Sequence, residues 1–170
     1  DRGMFHRLQE VAHGLIRLIT IAPESAHAMD FIRELNGQVH ISLGHTASDY
    51  DTAYEAFGLG ADHVTHCFNA MPGFTHRAPG VIGAAADASH VMPELICDGV
   101  HIHPSAVRGA FSMFGGERMI LISDSMRAAG MPDGAYTLGG LNVEVKGNRA
   151  TLADGTLAGS VTNLMDCMRT

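Results

Sequence analysis

Along most of this chain, short runs rich in β-branched residues alternate with stretches patterned for helix. The runs 16–22 (IRLITIA), 39–43 (VHISL), 63–68 (HVTHCF), 95–97 (LIC) and 119–123 (MILIS) read as strands. Between them apolar residues return at helical spacing. The faces are Met4, Leu8, Val11 and Leu15; Met29, Ile32 and Leu35; Tyr50, Ala53, Tyr54 and Phe57; and Val107, Ala110, Phe111 and Phe114. Ser48 is placed as an N-cap with Asp51 in the capping-box position, and Pro104 suits a first helical turn. Asn36-Gly37, Gly58 with Gly60, and Gly115 read as stops. Strand–helix steps of roughly 20 to 30 residues demand crossover connections, hence parallel strands in an α/β fold.

The rhythm breaks twice. Residues 71–94 hold Pro72, Gly73, Pro79, Gly80 and Gly83 with no clear amphipathic helix of normal length, and read either as a long functional loop or as a segment whose elements the pattern assigns wrongly. After Asp124 the character changes to alternation over 141–145 (LNVEV), then Gly147-Asn148, then 149–152. That pattern predicts a β-hairpin, with a further turn at Asp154-Gly155. No linker or repeat marks an internal boundary, so a single domain over 1–170 is expected.

Composition narrows the class. With 170 residues, 46% of them apolar and 17% charged, the chain can bury a core and is not disordered. No run is long and apolar enough to span a membrane, and no secretory signal opens the chain. A net charge of −7 argues against nucleic acid or an anionic membrane as partner. Cys67, Cys97 and Cys167 form no CxxC pair, which favours a reducing cytoplasm over a disulfide framework or a thiolate zinc site. The unusual count is 11 histidines.

In parallel α/β folds functional groups collect where strands end. Here the strand ends bear Glu24, His45, His66, Asp98 with His101, and Asp124. His45 and His66 lie one β–α step apart at equivalent positions, so two imidazoles are expected side by side, a donor pair suited to Zn²⁺ or Fe²⁺. Asp124 and Glu24 could each merely cap a helix. His6, His13, His27, His40, His63, His76, His90 and His103 read as structural or exposed, and Met71, Met126 and Met131 as wall or core.

Residues 42–80 (SLGHTASDYDTAYEAFGLGADHVTHCFNAMPGFTHRAPG) resemble the N-acetylglucosamine-6-phosphate deacetylases of the amidohydrolase superfamily. So do ICDGVHIHP, ILISDSMRAAG and DGTLAGS, and the resemblance runs from about residue 20 to the last. It implies part of a (β/α)8 TIM barrel, strands four to eight, with the hairpin as an excursion near the C-terminus. It also implies one divalent metal ion, a phosphorylated amino sugar as substrate, and a homodimer. His45 and His66 resemble the family's histidine ligands, and Asp124 its catalytic aspartate. Asn69 and Ala70 resemble a substrate-binding pair, Arg77 the phosphate-binding arginine, and His101 a substrate-contacting histidine. Leu157, Ala158 and Gly159 resemble a segment lining the substrate pocket.

A whole barrel of this kind takes about 250 residues. The family's Glu-Gly-Pro segment, whose glutamate is the third protein ligand, does not occur in these 170 residues, and Glu24 matches a different motif. The resemblance therefore carries two expectations. One is hydrolysis of the acetamide of N-acetyl-D-glucosamine 6-phosphate, with Asp124 as general base and then acid. The other is a catalytically incompetent piece that only binds metal or sugar phosphate. A dihydroorotase-like or deaminase-like amidohydrolase is disfavoured by the FNAM…HR motif.

Overall fold

The computed structural model describes residues 1–169. Their contacts divide them into two compact units, Asp1–Glu94 with Gly116–Met119, and Leu95–Gly115 with the residues from Ile120 onward.

The first unit repeats helix and parallel strand. Its elements are α1 (Arg2–Val11), β1 (Leu18–Ile21), α2 (Ala28–Leu35), β2 (His40–Leu43), α3 (Tyr50–Leu59), β3 (His63–Val64), α4 (Gly80–Asp87) and the first residues of β4 (Met92–Ile96). The strands lie in chain order. Leu18 pairs with His40, Ser42 with His63, and His63 with Met92, all in parallel. Ile41, Leu43 and Val64 are buried, as near-continuous apolar strands between helical layers should be. Thr20, Ser42 and Thr65 tie the three strands together near their carboxyl ends. Thr65 Oγ1 lies 2.9 Å from Thr20 Oγ1 and 2.6 Å from Ser42 Oγ. Gly44 fits beside this chain of hydroxyls because a Cβ there would stand 2.6 Å from Thr65 Cβ.

Several local expectations need correction. Asp49, not Ser48, caps α3 by accepting from Thr52 N; the Ser48 hydroxyl is held 2.7 Å from Thr46 Oγ1 instead. Gly58 lies inside α3, and Gly60, at φ 124°, ends it. The run 63–68 is strand only at His63–Val64, because His66 and Phe68 adopt positive φ. The segment 71–94 does contain a helix. In α4 the residues Gly80, Val81, Ile82, Gly83, Ala84 and Ala85 are all buried, so no polar stripe marks a helical period. Arg118 lies in the same unit and donates to Ala85 O at 2.6 Å and Val91 O at 2.9 Å. On α1 the face Met4, Leu8 and Val11 is exposed; Phe5 is the buried residue, edge-on to Phe31.

The second unit holds the end of β4, α5 (Pro104–Phe114), β5 (Ile120–Ile122), β6 (Gly134–Leu138), β7 (Leu141–Lys146), β8 (Arg149–Thr151) and α6 (Leu164–Cys167). Pro104 opens α5 and Gly115 closes it, as the sequence predicts. The hairpin is there too: Lys146 faces Arg149 across Gly147-Asn148. Its partner β6 was not legible, and together the three strands make an antiparallel sheet. One face packs Val143, Val145 and Ala150 on Met126 and Ala128. All three cysteines are free and buried, and burial pushes the Cys67 thiol up to about 12. Among the described residues no helix is long and apolar enough to cross a membrane.

Candidate functional site

The parallel register of β2 and β3 sets their ends side by side, and the next turns aim His45 and His66 at one point. Their Nε2 atoms are 2.9 Å apart and the rings meet edge to face. Two tetrahedral ligands of a zinc ion, with bonds of about 2.0–2.1 Å, stand roughly 3.3 Å apart. The pair therefore fits a shared divalent ion after a few tenths of an ångström of opening. Both residues have positive φ, 48° and 32°, as do Ala70 at 49° and Asp124 at 49°. Such backbone is uncommon outside glycine, costs about 1–3 kcal/mol per residue, and gathers at functional sites.

The turns carrying the pair are pinned from several sides. Glu24, at the end of β1, accepts from Thr46 Oγ1 at 2.5 Å and from Ala47 N at 2.6 Å. Burial works to raise the Glu24 carboxyl, but these bonds outweigh it and hold it below its ordinary value. Thr46 N donates to Ala70 O at 3.2 Å, and Asn69 N donates to His66 O at 2.9 Å. So Asn69 and Ala70 do stand with the histidines. Arg77 is exposed, and no ion pair or hydrogen bond among the described residues engages its guanidinium.

The second unit gathers the other expected residues. His101 sits in a turn held by Asp98, which accepts from Val100 N at 2.9 Å, His101 N at 2.8 Å and His101 Nδ1 at 2.6 Å. The Asp98 side chain is 1% exposed. Burial pushes its carboxyl up, and the three donors outweigh that and hold it below the ordinary value. The other ring nitrogen of His101, Nε2, lies 2.9 Å from Ala158 O. Both ring nitrogens thus face oxygen atoms of the surrounding structure.

Segment 157–160 is clasped on both edges. Ala158 N donates to Ala150 O at 2.9 Å, and Ser160 N donates to Asp124 O at 2.9 Å. Gly159 allows this approach, since a Cβ would stand 3.3 Å from Asp124 O and from Met126 Cβ. Asp124 itself is exposed beside this strap. Sequence reasoning singled out neither Asp98 nor Glu24 as a positioning residue. The available signal for Asp98 was an aspartate two and three residues before turn amides, a frequent carboxylate turn.

No protein-family model matches the chain. Curated relatives do. A Bacillus subtilis N-acetylglucosamine-6-phosphate deacetylase is 45% identical over 170 residues, covering 99% of this chain and 43% of the relative. This chain is homologous to the N-acetylglucosamine-6-phosphate deacetylases over nearly its whole length. An N-acetylgalactosamine-6-phosphate deacetylase of Escherichia coli O157:H7 is 41% identical, covering 96% of this chain and 43% of its own. Among solved structures, a Mycobacterium smegmatis N-acetyl-D-glucosamine-6-phosphate deacetylase mutant, in complex with N-acetyl-D-glucosamine-6-phosphate, superposes with a TM-score of 0.95. It is 38% identical, with 99% of this chain and 45% of that one covered. The chain thus spans less than half the length of the deacetylases it matches.

Proposed function

We propose that these residues are the strand-four to strand-eight part of a (β/α)8 barrel, a single incomplete metal-dependent amidohydrolase domain. In this reading β6–β8 form the excursion. The activity is hydrolysis of N-acetyl-D-glucosamine 6-phosphate to glucosamine 6-phosphate and acetate. The observation that carries the reading is the His45–His66 pair, 2.9 Å apart at equivalent strand ends, in a chain homologous to deacetylases throughout.

His45 and His66 would hold one divalent ion, Zn²⁺ or Fe²⁺ by the borderline softness of imidazole. Such an ion supplies Lewis acidity toward water and toward the amide carbonyl. Asp124 takes the proton of the attacking water and returns it to the departing amine, as general base and then acid. Arg77 binds the 6-phosphate through its planar fork, which lets an acidic protein hold an anionic substrate. Asn69, Ala70, His101 and the Leu157–Ala158–Gly159 strap orient the sugar. Binding energy taken from the remote phosphate positions the acetamide. We further propose a cytoplasmic homodimer.

The Glu-Gly-Pro motif is missing from these residues, and that favours a second reading in which they bind metal or sugar phosphate without turnover. Acetate release separates the two. The protein is supplied with Zn²⁺ or Fe²⁺ and given N-acetylglucosamine 6-phosphate, with the galacto epimer as comparison. Metal-dependent release supports the enzyme; sugar-phosphate binding with no release supports the second reading.

A further inference from the structure

A different cluster occupies the other ends of the same strands. His40 opens β2, His63 opens β3, and Asp62 lies between them in space. Asp62 Oδ2 is 2.6 Å from His40 Nδ1, and Asp62 Oδ1 is 2.8 Å from His63 Nδ1. Asp62 Oδ1 also accepts from Ile41 N at 3.1 Å, which anchors the carboxylate to β2. One ligand atom from each of the three residues lies within 4.8 Å of the others. The rings of His40 and His63 stand 5.0 Å apart, edge to face. Such a set presents two imidazole nitrogens and one carboxylate oxygen at one end of a parallel pair of strands.

We propose that His40, Asp62 and His63 form a second metal site, distinct from the His45–His66 pair, for a borderline divalent ion of the Zn²⁺, Ni²⁺ or Cu²⁺ type. Two nitrogens in three ligands select against Mg²⁺ and Ca²⁺, which take oxygen. The His40 contact of 2.6 Å and the His63 contact of 2.8 Å use different oxygens of Asp62, so a shared ion would draw on one of them, with ligand atoms that now lie within 4.8 Å of one another settling at about 3.3 Å for tetrahedral bonds. His63 and Asp62 are well fixed, with side chains 10% and 30% exposed, while His40 is 58% exposed and free to adjust. Its open side faces a cleft of about 210 Å³, lined also by Arg17 and Gln38, where a fourth ligand, water or a small anion, has room. Arg17 lowers the affinity for a bare dication and favours the anion. The ion would clip β2 to β3 at the end remote from His45 and His66, and so stabilise the folded state by mass action.

This site does not depend on the deacetylase reading, and its test separates the two. Zn²⁺ alone is titrated calorimetrically into chelator-treated protein carrying His45→Ala and His66→Ala. One equivalent should still bind, and adding His40→Ala should weaken it by at least about 10-fold, the smallest loss typical even of outer-shell changes. Asp62→Asn should do the same. Loss of all zinc binding in the folded double variant, or binding indifferent to His40→Ala, overturns the site. If the double variant does not fold, His40→Ala is made alone. It should remove one zinc equivalent from the otherwise unchanged protein, and unchanged stoichiometry then overturns the proposal.

Discussion

His101 Nε2 and Ala158 O meet at 2.9 Å although 57 residues separate them in the chain. The contact joins the turn after β4 to the strap beside Asp124, and it exists because Asp98 fixes the far side of the ring. Asp98→Asn keeps the shape but loses a buried carboxylate with three donors. Hydrogen bonds to a charged group are worth about 1.5–3 kcal/mol each, with partial retention by the amide oxygen. The variant should lose about 2 kcal/mol of stability, read by denaturant unfolding. A loss under about 0.5 kcal/mol would mean the ring is held by other contacts.

The same carboxylate gives a pH signature. Its folded-state value lies below the ordinary 3.8, because its three donors outweigh burial. A lowered carboxylate contributes stability that is whole above its unfolded value and is lost as pH falls through its folded value. The stability gap between the protein and Asp98→Asn should therefore be constant from pH 7 to about pH 5 and close below about pH 4. A gap that stays open at pH 2.5 would show that Asp98 acts through shape and not charge.

The parts legible in the sequence are those whose burial is one-sided. α5 shows its stripe, its Pro104 start and its Gly115 stop, and the β7–β8 hairpin shows alternation with a Gly-Asn turn. By contrast α4 is buried all round, and periodicity carries no information there. β6 (GAYTL) is short, half exposed and opens with glycine, so it reads as loop. In the site, the 21-residue spacing was enough to pair His45 with His66. The cluster of His40, Asp62 and His63 was missed for an equally physical reason. The expectation that functional groups collect at strand ends, where loops converge, does not reach these residues, which sit at strand beginnings.

Removing one imidazole of the His45–His66 pair should cost the metal. In a His40→Ala background, which removes a ligand of the His40–Asp62–His63 cluster, His66→Ala should lower zinc affinity by about 100-fold or more, since even outer-shell changes cost 10- to 100-fold. Chelator competition measures it. Affinity that survives His66→Ala would detach the pair from any metal role.

Asp124 carries the proton in the proposed reaction. Asp124→Asn should leave the strap intact, because Ser160 N bonds the Asp124 backbone carbonyl and not its side chain. A positioned general base is worth about 10²–10⁴ in rate, so acetate release should fall by that factor with zinc content unchanged. A kcat within threefold of the parent's would assign the proton to another group.

Arg77 tests the class of substrate and not the type of reaction. It stands exposed in the loop before α4, with no ion pair among the described residues. A structural arginine would be expected to bind a carbonyl or carboxylate, as Arg118 does with Ala85 O and Val91 O. A guanidinium kept for a phosphate has its partner in the substrate. Charge-assisted bonds of this kind contribute roughly 1.5–3 kcal/mol. Arg77→Ala should then lower kcat/KM for the phosphorylated N-acetyl sugar by about 10- to 150-fold, at 1.4 kcal/mol per factor of ten. Turnover of the unphosphorylated sugar, which never used the contact, should change by less than about twofold. Equal losses on both substrates would return Arg77 to a structural role in its loop, and the phosphate would need another cation.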